Sequence, residues 1–266
     1  LTVPTRSALK KAIKKGRILV DGKVAGTGLF INGKETITLM PALEVPSKKA
    51  LVFPLEIVYE DDDLAVINKP PGILVSGNSF KTIANALSQN LKKSTRLDAV
   101  RPLPVHRLDY PTTGLLLVGK TSSSILTLNQ LFEHKTILKT YIAVCIGNMP
   151  LEGVIDLPID YKTATSRFKV LKTISSKRFQ YLNLVVLFPE TGRKHQLRKH
   201  LSIQGNPILG DRHYGKEPMI LKGKGLYLHA FSLSFSHPST TEKIEFTKEP
   251  PLKFHKLFPN SFPLSF

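Results

Sequence analysis

Past residue 56 the apolar positions fall into short runs separated by polar breaks or by Gly and Pro. EIVY, DLAVINK, GLLLVGK, KTYIAVCIG, RFKVLK, YLNLVVLF, YLHAFSLSF and KIEFT have strand length and either alternate or are continuously apolar. TIANALSQNL, TSSSILTLNQLFEHK and GRKHQLRKHLSIQG repeat their apolar residues at helical spacing. Strands outnumber helices, and helices do not recur between every pair of strands. The pattern therefore predicts an α+β fold, a mixed and largely antiparallel sheet with flanking helices, rather than a doubly wound parallel sheet.

The chain before residue 56 reads differently. SALKKAIKKG predicts a short helix with Ser7 as N-cap and Gly16 just past its end. At about 100° per residue, Ala8, Leu9, Ala12 and Ile13 share one arc, and Lys10, Lys11, Lys14 and Lys15 share the opposite one. RILV, the Asp21-Gly22 turn and KVA predict a hairpin, with ETITLM as a third extended piece. Prolines at 41, 46 and 54 then interrupt the pattern. The expected organisation is a small basic module over 1–45, a linker over 46–56 and a large domain over 57–266. There is no internal repeat and no low-complexity tract.

Charge adds a partner to this picture. Thirty-eight Lys and Arg against twenty Asp and Glu leave +18, while the charged fraction is an ordinary 22%, so the excess reflects missing acids rather than a polybasic tail. A polyanion is the expected partner. The first fifty residues hold ten basic and three acidic side chains. A solvated helix face commonly mixes both signs, whereas the row Lys10, Lys11, Lys14 and Lys15 repels itself unless phosphates neutralise it. Those lysines, with Arg17, are candidate contacts to the phosphates of such a partner. No apolar run approaches the roughly 18 residues of a membrane span, and the opening segment lacks a signal peptide's apolar core. A soluble, intracellular protein is expected. The single cysteine, Cys145, cannot form an internal disulfide or a cysteine metal cluster, and within YIAVCIG it reads as a small buried residue.

Several short patterns fail on mechanism. Gly114 to Thr121, GLLLVGKT, matches G-x-x-x-x-G-K-[ST], but a phosphate cradle needs an irregular loop of backbone amides. Leu115, Leu116, Leu117 and Val118 belong in a buried strand instead. His195 and His200 are five apart rather than four, without HExxH or CxxC, so no metal site is expected. His106-Arg107-Leu108-Asp109 is not the kinase H-R-D, and no G-x-S-x-G elbow exists. What remains is Asp109, in a turn-prone stretch feeding the buried run from Leu115, either a turn cap or a working carboxylate. The helix containing HQLR places Arg198 about 60° from Leu201, at the edge of the apolar face, where a guanidinium can reach a partly buried carboxylate.

Taken together, PLEIVYEDDDLAVINKPPGILV, HRLDYPTTG, KTYIAV and ETGRKHQLRKHLSIQGNPILGDRHYG resemble, in this order and over residues 54–235, the RluA family of RNA pseudouridine synthases. Residues 5–40 resemble the S4 RNA-binding module often found ahead of that catalytic domain. The resemblance implies the pseudouridine synthase fold, with Asp109 as catalytic aspartate, Tyr141 stacking on the target base and Arg198 pairing with the aspartate. Arg107 would stand beside the flipped nucleotide, and His106, Lys139, Arg193 and His195 would contribute to RNA binding. Two departures stand out. The family's threonine-serine-glycine is Thr112-Thr113-Gly114 here, which keeps the hydroxyl, and KPPGILVSG lacks the usual histidine. The implied reaction needs no cofactor and no metal. The implied partner is structured RNA, ribosomal or transfer, and the S4-like module favours the large ribosomal subunit. A cytoplasmic monomer with no membrane partner is expected. The alternative is a noncatalytic RNA-binding or ribosome-assembly factor on the same scaffold, which would not require Asp109, Tyr141 and Arg198 to share a cleft.

Overall fold

SALKKAIKKG winds into α1 (Arg6–Lys14), so Ser7 lies inside the helix rather than capping it. The computed structural model describes residues 6–41, 51–215, 217–221 and 223–264, and the chain divides after residue 50 into two units. In the first unit, Gly16 leaves the helix at φ +66°, the left-handed conformation that ends many helices and favours glycine. Strands β1 (Ile18–Val20), β2 (Lys23–Val24) and β3 (Ile37–Leu39) form an antiparallel sheet in the order β2-β1-β3. Asp21 and Gly22, both at positive φ, make the turn between the first two. Ala12, Ile18 and Ala25 are buried together, with Ile13, Val20 and Leu39 packed on them. Leu9, expected on the packed face, is 40% exposed, because strands this short cover only a narrow stripe of the helix. The expected linker falls outside the described residues from 46 to 50.

The second unit contains β4 (Glu56–Glu60), β5 (Leu64–Lys69), α2 (Ile83–Asn90), β6 (Ala99–Pro104), β7 (Thr113–Thr121), α3 (Ser122–Glu133), β8 (Leu138–Ile146), β9 (Glu152–Asp156), β10 (Thr165–Ser176), β11 (Gln180–Pro189), α4 (Gln196–Ile203), β12 (Leu228–Ser236), β13 (Lys243–Thr247) and α5 (Leu252–Leu257). Thr82 caps α2 by accepting from the Asn85 amide, and Thr121 with Ser124 forms a reciprocal capping box on α3. Among the described residues ten strands make one sheet, β4-β5-β7-β12-β8-β11-β10-β9, with β13 on β12 and β6 on β7. All pairings are antiparallel except β7 with β12. The mixed, largely antiparallel sheet expected from the pattern is present, with all eight expected strands and three expected helices.

Side-chain alternation explains how the sheet buries both faces. Ala65, Ile67, Leu116 and Val118 point to one side, where Ile83 and Leu87 of α2 cover them. Leu64, Val66, Leu115 and Leu117 point to the other, under Leu128 of α3. A third core gathers Leu197 and Leu201 of α4, Phe254 of α5 and Phe258 just past its end over β8 and β11, with Cys145 fully buried in it. GLLLVGKT is therefore the buried strand β7 and not a phosphate loop. Its Lys120 ammonium donates to Glu60 Oε1 at 2.7 Å and to the Asp61 carbonyl.

Three elements escaped the pattern. β6 contains Pro102 and Pro104, which read as breakers, but it pairs only with β7, and a sheet edge tolerates proline. β9 carries two carboxylates in five residues, and α5 is a six-residue helix behind two prolines.

The parallel pair matters most, because it joins the two halves of the sheet just where the Asp109 loop enters β7. Only Thr113↔His229 and Gly114↔Ala230 are in register. Gly114 sits at φ +109°, and a Cβ there would lie 2.2 Å from the Ala230 carbonyl oxygen. Thr113 Oγ1 is 2.8 Å from His229 Nδ1, and His229 Nε2 is 2.9 Å from the Lys248 carbonyl. Burial pushes the His229 pKa down to about 4, so the neutral ring donates from Nε2 and accepts at Nδ1. Gly114→Ala should force the halves apart and lower unfolding free energy by at least about 2 kcal/mol, from the strained φ alone and the clash beyond it. Urea denaturation measures this directly.

Candidate active site

Three segments distant in sequence converge beside that junction. The loop 105–112 ahead of β7, Lys139 and Tyr141 of β8, and the segment 189–198 entering α4 line a cavity of about 430 Å³, within the ~300–1,000 Å³ range of small-molecule sites. Asp109, Tyr141, Arg198, Arg107, His106, Lys139, Arg193 and His195 all line it.

Arg198 organises the charges. Its Nε donates to Asp211 Oδ2 at 2.7 Å and its Nη2 to Asp211 Oδ1 at 2.9 Å, while Nη1 donates to Asp109 Oδ2 at 3.3 Å. The Tyr214 ring lies 5.0 Å beneath the guanidinium carbon, a cation–π contact. Asp211 also accepts from the His213 and Tyr214 amides. Burial alone would raise the Asp211 carboxyl, but the Arg198 hydrogen bonds and charge, aided by those amides, hold it below its ordinary value. Burial opposes the Arg198 charge in turn, and the carboxylates of Asp211 and Asp109 outweigh it and raise the guanidinium's pKa. The two short bonds fix Arg198 on Asp211. The longer one steers Asp109 through a single carboxylate oxygen.

The second Asp109 oxygen faces His195 Nε2 at 3.6 Å. His195 precedes α4 at φ +58°, which starts the helix at Gln196, later than GRKHQLR suggested. Its Nδ1 bonds with the Tyr214 hydroxyl at 2.7 Å. Burial lowers the His195 pKa; Asp109 opposes that, and Arg198, Lys194 and His213 add to it. The imidazole is then neutral at neutral pH. His200 turns elsewhere, to Ser166 Oγ and the Leu157 carbonyl, so the two histidines share no metal.

Buried polar groups fix the surrounding backbone. Gln196 accepts from Thr191 Oγ1 and the Arg193 amide and donates to the Thr165 carbonyl and Ser166 Oγ, all at 2.7–2.9 Å. Lys69, wholly buried, donates to the carbonyls of Pro70, Tyr110 and Thr112 at 2.9, 3.3 and 2.8 Å and so pins the Asp109 loop. Burial pushes its pKa down to about 8 against the pull of Asp109. Tyr141 is paired through its backbone with both β11 and β12. Burial, then the Asp109 charge, raises its phenol pKa, so it presents a neutral ring.

Several expected RNA contacts besides His195 have protein partners, and Arg193 Nε donates to the Thr163 carbonyl. His106 Nε2 accepts from the Leu117 amide at 2.9 Å and its ring packs 4.8 Å from Phe132; burial, then Lys139, pushes its pKa down to about 3. In the first unit Arg17 donates twice to the Met40 carbonyl, which ties β1 to the end of β3. Lys10, Lys11, Lys14 and Lys15 are exposed. Asp211, Tyr214, Gln196 and Lys69 are absent from the expected site, although GDRHYG, HQLR and NKPPG contain them. Asp61, Asp63 and His237 bring ligand-type atoms within 4.8 Å of one another. Asp61 already accepts from Tyr59, His237 and two amides, and Asp63 from Arg96, so these groups serve each other.

The model of the RNA pseudouridylate synthase family matches residues 63–203. The ribosomal large subunit pseudouridine synthase D of Vibrio cholerae is 35% identical over 91% of this chain and 82% of its own length. The chain belongs to this family. An RNA pseudouridine synthase of Bacillus subtilis is 33% identical over 96% of this chain and 89% of its own. Human RNA pseudouridylate synthase domain containing 4 superposes with a TM-score of 0.62, at 27% identity over 76% of this chain and 91% of that one. The synthase is thus an isomerase with the fold expected from its motifs. Among its described residues no helix is long and apolar enough to cross a membrane.

Asp211→Asn keeps the shape and removes the charge beneath Arg198. Breaking such a buried pair should cost about 3–5 kcal/mol at pH 7, read by urea denaturation. Because the Asp211 pKa is depressed on folding, its contribution is complete above the ordinary 3.8 and is lost as pH falls through the depressed value. The gap between variant and parent should therefore close in acid.

Proposed function

We propose that this synthase isomerises specific uridines in large-subunit ribosomal RNA in the cytoplasm, as a monomer, with Asp109 as the reacting carboxylate. The observation that carries the reading is the meeting of Asp109, Tyr141 and Arg198 in one cavity, which a noncatalytic RNA-binding factor would not require. The names of the relatives in Vibrio cholerae and Vibrio vulnificus support the ribosomal target.

Isomerisation breaks the C1′–N1 bond, turns the base and joins C1′ to C5. A proton leaves C5 and one is taken up at N1, so the product has the same atoms and electrons as the substrate. The base must first leave its stack, at a cost of a few kcal/mol. Tyr141, stacking on the extruded uracil, returns about 1–3 kcal/mol, and Arg107, exposed at the cavity's edge, fills the vacated place. Asp109 needs to be aimed, which is the work of Arg198. The exposed lysines of α1 hold phosphates, in the manner expected of an S4-like module.

Asp109→Asn should lower pseudouridine formation by at least about 100-fold while RNA affinity stays near the parent's, measured by pseudouridine mapping and filter binding on an unmodified large-subunit transcript. Retained activity removes the assignment. Reversing Lys10, Lys11, Lys14 and Lys15 to Glu should weaken binding and flatten its dependence on log salt by about 0.9 for each phosphate that is no longer neutralised. An unchanged slope would make that face merely solvated.

A further inference from the structure

The loop joining β9 to β10 makes a tight two-residue turn. Ile159 and Lys162 exchange both backbone hydrogen bonds, at 2.9 and 3.0 Å, and the residues between them, Asp160 and Tyr161, stand at φ +50° and +61°. Turns of this kind favour Asn-Gly, because both central residues occupy the left-handed region. A tyrosine there is strained, and its side chain gains nothing within the fold, since Tyr161 is 105% exposed.

Everything around that ring is held. Asp160 accepts from the Lys199 ammonium at 2.7 Å, the Thr163 carbonyl accepts from Arg193 Nε at 2.9 Å, and Ile159 is buried. Arg193 lines the cavity, and the Asp160 carboxyl, whose pKa is lowered first by Lys199, also feels the charges of Lys194 and His195. The turn is therefore a rigid platform tied through Arg193 to the cavity wall, with exposed Lys162 and Lys194 beside an aromatic face directed at solvent. A planar ring flanked by cations suits an unpaired nucleotide: the base stacks on the ring and its phosphates meet the lysines.

We propose that Tyr161 is a stacking platform for an unpaired base flanking the target uridine, and so a determinant of which RNA this synthase accepts. The inference rests on the RNA-modifying reading above and adds a second base-binding position to it. It also accounts for the strain, because an aromatic ring retained in an unfavourable backbone conformation, outside the core, serves something other than folding.

The test uses the full chain and an unmodified large-subunit ribosomal RNA transcript. Pseudouridine formation by the parent protein tests the underlying reading, and an inactive parent removes both. Given an active parent, Tyr161→Ala should weaken RNA binding by about 5- to 150-fold, with the slope against log salt unchanged because the charge is unaltered. Tyr161→Trp should restore binding, and Tyr161→Gly should bind as poorly as alanine while melting at or above the parent's temperature, since glycine relieves the positive φ. Parent-like binding by Tyr161→Ala overturns the inference and leaves the reading intact. Weak binding that tracks a lowered melting temperature, or that tryptophan fails to rescue, overturns it as well by assigning Tyr161 a structural role.

Discussion

A guanidinium shared between two carboxylates is the constraint on which the site depends. Arg198 is buried, and a buried cation without a partner costs several kcal/mol. Asp211 supplies that partner with two short, parallel bonds, and the Tyr214 ring closes the face beneath. Asp109 is met by the remaining nitrogen, Nη1, through one longer bond. That division of labour lets Asp109 be aimed and yet remain available, since its orientation is set by a group whose own position is secured elsewhere.

The fold delivers this arrangement by bringing distant chain segments to one seam. Asp109 arrives on the loop entering β7, Tyr141 on β8, and Arg198 on α4. β12 pairs with both β7 and β8, so the short parallel contact at Gly114 sets the distance between the first two. Lys69 then pins the carbonyls after Asp109, and Gln196 pins the backbone ahead of α4. Lys69 does so from behind the loop, and Gln196 from the cavity wall itself. Both convert a loop into a surface of fixed shape, which is what chemistry at a single carboxylate requires.

How much of this was legible in the sequence depends on the range of the interaction. Strand and helix periods are local, and they located β5, β7, β8, β11, α2 and α3 closely. Elements whose composition conflicts with their state were hidden, such as β6 with its prolines. The ordered motifs singled out Asp109, Tyr141 and Arg198, and the three line one cavity. Asp211 and Lys69 stood in plain view within GDRHYG and NKPPG, but their value lies in which carbonyls and guanidinium they meet, and such pairings are fixed only by tertiary structure. His106 shows the reverse: its neighbours in HRLD suggest a ligand contact, whereas β7 claims its ring nitrogen.

The central claim is that the geometry of the Arg198 fork, not only its positive charge, readies Asp109. Arg198→Lys keeps the charge and loses the fork. Single-turnover kinetics on an unmodified large-subunit ribosomal RNA transcript, with folding of the variant checked by near-ultraviolet circular dichroism, separates the two. The account predicts RNA affinity close to the parent's and a chemical step slower by about 100-fold, the scale of a small misplacement of a reacting group. A folded lysine variant that turns over at the parent's rate would contradict it.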